Sequence, residues 1–154
     1  MDEQRAARYE RLTAQLSSLI EGKSPSLQAA MATICAVLHA KMKHHSWTGF
    51  YLVTDGNELH VGPYQGPVAC QILSGRGACL QTVSSGEPVV VPDVNAFPGH
   101  ITCDSRSRSE IVVPLFKKDR VVAVLDIDST VLNQFTEEDI TPLAKILALL
   151  NPYL

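Results

Sequence analysis

The sequence predicts an α+β domain, helices packed on a mainly antiparallel sheet, and three observations predict it. Apolar residues recur at helical spacing through the first forty positions. The pattern then switches to short apolar runs separated by turn residues, and a capped helical pattern returns near the end. A length of 154 residues suits one domain. We therefore read 1–154 as a single unit, with N-terminal helices over 1–45 and the sheet, site loops and closing helix over 46–154.

The first helix is expected over 5–20, where Tyr9, Leu12, Leu16, Leu19 and Ile20 fall on one face. Gly22 and Ser24-Pro25 interrupt it. Ser26 is placed to cap a second helix whose apolar face is Leu27, Ala30, Met31, Ile34, Cys35 and Leu38. From Thr48 the period changes. Strands are expected over 48–53 and 58–64, joined through Asp55-Gly56-Asn57, a strong hairpin signal. A Gly- and Ser-containing stretch follows, then a short helix over 78–84 and a short strand over 88–91. Residues 93–108 read as a long polar loop. Two further strands, 110–116 and 120–127, meet at Lys117-Lys118-Asp119. Thr136 with Asp139 three residues later opens the last helix.

Composition removes several function classes. Thirteen basic against sixteen acidic residues give a net charge of −3, which offers no footprint for nucleic acid or an anionic membrane. The apolar runs are too short for a spanning helix. The N-terminus lacks the basic-then-apolar order of a secretory signal, so a cytoplasmic protein with reduced cysteines is expected. Cys35 lies on an apolar helix face and reads as core. The remaining three, Cys70, Cys79 and Cys103, are candidates for chemistry.

Cys103 ends the longest irregular segment, and long loops in small domains are usually functional. Arg106 and Arg108 are near enough in sequence to support a thiolate, with Asp104 opposing them. Asp126 and Asp128 are two apart on a strand and so share a face, and Glu110 opens the neighbouring strand. Paired acids on a mainly apolar sheet repel, and burial disfavours their charge further. At least one is expected to stay protonated and able to donate. A metal is not expected. His100-x-x-Cys103 resembles a half-site, but Cys70 and Cys79 lack the CxxC spacing that would complete a structural zinc site. The sequence holds no HExxH, P-loop, GxSxG or dinucleotide motif either.

One set of motifs, in order, resembles a known family: Trp47-Thr48-Gly49-Phe50-Tyr51, Pro63-Tyr64-Gln65-Gly66, Gly75-Arg76-Gly77-Ala78-Cys79, Phe97-Pro98-Gly99-His100-Ile101-Thr102-Cys103-Asp104-Ser105, Ser109-Glu110-Ile111-Val112-Val113-Pro114-Leu115 and Val124-Leu125-Asp126-Ile127-Asp128-Ser129. They are similar to the GAF-fold free methionine-(R)-sulfoxide reductases, over about two thirds of the chain. The resemblance implies a GAF fold and thiol-based reduction of free methionine-(R)-sulfoxide, with no cofactor and thioredoxin as reductant. It implies Cys103 as nucleophile, Cys79 as the principal resolving cysteine and Cys70 as an additional redox cysteine. It gives Glu110, Asp126 and Asp128 as pocket acids, Trp47 and Tyr51 as the aromatic wall, and a homodimer with the first helix as a partner surface. The Cys70–Cys79 segment is one residue shorter than the family pattern and lacks its proline, and Leu80-Gln81 stands where a glycine is usual. The alternative reading is a non-catalytic GAF module sensing a small molecule or redox state. The set of three cysteines and three acids separates the reductase from a small-molecule binding module, which has no need of it, whereas a redox sensor shares the chemistry and only turnover separates it.

Overall fold

Helix α1 (Glu3–Ile20) starts where Asp2 accepts a hydrogen bond from the Arg5 backbone N–H. It buries Tyr9, Leu12, Leu16 and Ile20, while Leu19, expected inward, is on the flank and 46% exposed. Helix α2 (Leu27–Lys41) begins at the Ser26 cap, whose hydroxyl accepts from Ala29 N. This computed structural model describes residues 1–100 and 104–154.

The strands are β1 (Trp47–Val53), β2 (Glu58–Gln65), β3 (Ile72–Ser74), β4 (Val89–Val91), β5 (Ser109–Lys117) and β6 (Arg120–Ser129). They form one sheet in the order β3-β2-β1-β6-β5-β4, with antiparallel pairing throughout. β3 is an element the sequence did not signal: three residues, of which only Leu73 is buried, carry too little alternation to read.

Strand alternation divides the sheet into two unlike faces. Phe50, Ile111, Val113, Leu115, Leu125 and Ile127 point toward α1, α2 and the closing helix α4 (Ile140–Ala148), forming the larger core. Cys35 belongs there, fully buried, and desolvation pushes its thiol pKa up to about 12. The opposite face carries Trp47, Tyr51, Val112 and Val124 and is covered by α3 (Ala78–Ser85). The helices thus flank the sheet on both faces.

Two polar links fix the frame. Asp139 accepts from Tyr9 Oη at 2.8 Å and pairs with Arg5 Nη2 at 2.8 Å, joining the start of α1 to the start of the closing segment. The expected Thr136/Asp139 capping box is present, with the Thr136 N–H donating to Asp139 Oδ2 at 2.8 Å. No helix among the described residues is long and apolar enough to cross a membrane.

Candidate active site

The second face of the sheet becomes polar at one end. In β6, Asp126 and Asp128 share that face, as their spacing requires, and Ile127 turns into the opposite core. Glu110 of β5 pairs directly with Asp128, while Val112 pairs with Asp126. On the other side of β6, Trp47 pairs with Asp128 and Gly49 with Asp126. Three carboxylates and an indole are therefore gathered by strand register alone.

Helix α3 lays Cys79 over this cluster. The Cys79 thiol donates toward Glu110 Oε1 at 4.0 Å. Glu110 and Asp126 are each 6% exposed and Cys79 4%. Burial pushes the Asp126 pKa well above the usual carboxylate range, and the charges of Glu110 and Asp128 push it further. Asp128 is raised by burial, then by Glu110 and Asp104. The same acids, after burial itself, push the Cys79 thiol up. Asp126 Oδ1 has no hydrogen-bond partner among the described residues, although it is buried. The site thus disfavours the charged forms of Asp126 and Asp128 and leaves one buried acceptor unsatisfied.

Above the acids stands an aromatic stack. Trp47 lies between Tyr51, at 5.7 Å and 25°, and Tyr64, at 5.3 Å and 22°. The Trp47 indole N–H donates to Pro67 O at 3.2 Å, and Tyr51 Oη donates to Cys70 O at 2.9 Å. Both rings therefore hold the segment after β2 across one side of the cavity, which has a volume of ≈ 60 Å³. Val68, Arg76, His100 and Asp104 also line it.

Trp47, Tyr51, Cys79, Glu110, Asp126 and Asp128 thus converge on one cavity. Cys103 falls outside the described residues, but His100 and Asp104 both face the cavity. Cys70 is disulfide-bonded, whereas the Cys79 thiol is free. Arg106 does not stand ready for a thiolate. Its guanidinium is engaged by Asp104, Nε to Oδ1 at 3.1 Å and Nη2 to Oδ2 at 3.2 Å, and this pairing holds the Asp104 carboxyl below its ordinary pKa.

The ligand-type grouping also differs from the His100, Cys103, Cys70 and Cys79 set considered from sequence. Among the described residues, Cys79, Glu110 and Asp126 bring one donor atom each to within 4.8 Å of one another. Sequence reasoning quoted Tyr64, Gly49 and Gly66 only within motifs and gave them no part in the site. Their contribution is contact with Trp47, which no spacing along one strand reveals.

Comparison with known proteins agrees with this geometry. A family model described as GAF domain matches residues 25–151. Over 147 residues the chain is 41% identical to the free methionine-R-sulfoxide reductase of Escherichia coli, covering 95% of this chain and 88% of that protein. The X-ray structure of free methionine-R-sulfoxide reductase from Neisseria meningitidis in complex with its substrate is similar, with a TM-score of 0.92 and 41% identity. It covers 99% of this chain and 92% of its own. A substrate complex of the Staphylococcus aureus protein gives a TM-score of 0.87 at 39% identity, covering 95% of each chain.

Proposed function

The chain belongs to the free methionine-R-sulfoxide reductase family of GAF domains, and from that premise we propose that it reduces free L-methionine-(R)-sulfoxide to L-methionine. The observation that carries the reading is the group of buried Glu110 and Asp126 with half-buried Asp128 beside Trp47, in the cavity that His100 and Asp104 line.

A sulfoxide oxygen leaves poorly until it is protonated, and Asp128 and Asp126, whose pKa values are raised by burial and then by the Glu110 charge, are suited to protonate it. Protonation makes the sulfur electrophilic, and the Cys103 thiolate attacks it. The oxygen then passes from the substrate sulfur to Cys103 Sγ as the S–O bond and the newly formed S–S bond break, releasing methionine and leaving Cys103 as a sulfenic acid. A second thiol then condenses with the sulfenic acid, forming a disulfide and releasing water. The disulfide at Cys70 supports Cys70 as that thiol, with Cys79 contributing to the pocket floor. Thioredoxin restores both thiols by exchange, and no cofactor takes part.

Residual carboxylate charge suits the α-ammonium of a free amino acid. The Trp47 face packs against the S-methyl group and favours developing positive sulfur. We attribute selection for the free amino acid to the segment that Trp47 and Tyr51 hold at the cavity wall. We further propose a cytoplasmic homodimer with α1 at the partner surface.

The test is thioredoxin-coupled NADPH oxidation with free methionine-(R)-sulfoxide, the S epimer and a peptide-bound sulfoxide side by side. Turnover confined to the free R epimer is the expected result. Silence with both thioredoxin and dithiothreitol would replace the reductase by a sensor.

A further inference from the structure

Cys79 is a buried thiol that the reaction above does not consume, and its surroundings are unusual for a core cysteine. It sits in the first turn of α3 with its sulfur against two carboxylates from different strands, Glu110 of β5 and Asp126 of β6. We propose that these three side chains form a binding site for a thiophilic divalent cation of the zinc type, whose occupation excludes substrate from the cavity.

Two independent features carry this. The first is ligand geometry. The Cys79 Sγ, a Glu110 oxygen and an Asp126 oxygen all lie within 4.8 Å of one another, and Sγ to Glu110 Oε1 is 4.0 Å. With zinc–sulfur bonds of about 2.3 Å and zinc–oxygen bonds of about 2.0–2.2 Å, tetrahedral ligand atoms stand roughly 3.3–3.7 Å apart. The second is Asp126 Oδ1, a buried oxygen of a residue only 6% exposed, which lacks any hydrogen-bond partner among the described residues. An acceptor left bare in the wall of a cavity is the kind of atom a cation satisfies.

Donor chemistry then selects the ion. One thiolate with two carboxylates favours zinc or cadmium over magnesium or calcium, which prefer all-oxygen shells. The three donors come from a helix and two central strands, so the site is held by rigid elements. A fourth position is left toward the cavity, where water completes the shell. An ion there covers Glu110 and Asp126, the groups proposed to receive substrate. The binding itself stands apart from the reductase reading, and only the exclusion of substrate rests on it.

The experiment titrates the full chain, in the form with Cys70 disulfide-bonded, with Cd²⁺, following the thiolate-to-metal charge-transfer absorption. Zn²⁺ binding is measured in parallel by equilibrium dialysis. One ion per chain is expected. Cys79→Ser should remove the absorption, and Glu110→Gln and Asp126→Asn should each weaken Zn²⁺ binding at least tenfold, with circular dichroism confirming that each variant is folded. Cys35→Ala, in the opposite core, should leave the titration unchanged. No charge-transfer absorption in the unsubstituted protein, or its persistence in folded Cys79→Ser, overturns the site. If binding behaves as expected but Zn²⁺ leaves turnover of free methionine-(R)-sulfoxide unaffected in an active enzyme, the exclusion is wrong.

Discussion

Gly49 lies under the Trp47 indole: a β-carbon built on Gly49 would run into the Trp47 ring and stand 2.5 Å from Tyr64 Cβ. The stack of Trp47 between two tyrosines exists because this strand position has no side chain. Gly66 repeats the arrangement from the other side. Its φ is +125°, and an added β-carbon would lie 2.8 Å from Ser46 O and 2.9 Å from Trp47 Cδ1.

Gly49→Ala should therefore displace Trp47 while leaving the helical core of α1, α2 and α4 alone. Overpacking of this kind costs about 1–3 kcal/mol, and a displaced aromatic wall should lower kcat/KM for free methionine-(R)-sulfoxide at least tenfold. Trp47 is the one tryptophan in the sequence, so intrinsic emission reports it directly. A red shift should accompany the loss of activity. An unshifted spectrum with full activity would show that Trp47 is not held by this glycine.

Asp128→Asn should slow the first chemical step, because an amide cannot supply the proton that the sulfoxide oxygen needs. Loss of a positioned general acid costs about 10²–10⁴-fold, to be read as methionine release in a single turnover. The pH dependence has a definite sign. Burial, Glu110 and Asp104 raise the Asp128 pKa, so the acid is competent below that raised value and activity falls as pH climbs through it. Unchanged single-turnover release in Asp128→Asn removes the acid role.

The sequence made some of these relationships legible and hid others for physical reasons. Period-two alternation placed Asp126 and Asp128 on one face, and the Ser26 and Thr136/Asp139 caps marked helix starts closely. The cross-strand pairing of Glu110 with Asp128 is a matter of register between strands. A linear pattern suggests that neighbourhood but does not state the pairing. Local sequence placed Asp104 in opposition to Arg106, but not the direct pairing of the two. The Tyr64–Trp47 contact depends on β2 crossing β1 at Gly49, which spacing along one strand cannot encode.

The cysteines separate by their partners. Cys103→Ser should abolish turnover with the fold retained. Cys70→Ser should still release methionine in a single turnover but lose thioredoxin-coupled turnover by a much larger factor than Cys79→Ser does. The reason is that Cys70 is disulfide-bonded, whereas the Cys79 thiol is buried and free. Equal loss of recycling in the two variants would return the resolving role to Cys79.

His45 is expected to weaken the fold in acid. It is 6% exposed, packs at 5.5 Å on the Phe135 ring, and neither ring nitrogen has a hydrogen-bond partner among the described residues. Burial, reinforced by the Arg5 charge, pushes its pKa down to about 3. The unfolded chain binds a proton there at about 6.5. Between those values the unfolded state holds more protons than the native state, so stability is full above the unfolded value and is lost as pH falls toward 3. The slope from this group alone approaches roughly 1 kcal/mol per pH unit. His45→Leu removes both the titration and the orphaned ring nitrogens. Thermal unfolding followed from pH 7 to pH 4 should show a shallower decline in the variant, with Tm at pH 7 equal to or above that of the unsubstituted protein. Parallel declines would mean that His45 finds a proton acceptor in solution and does not limit acid stability.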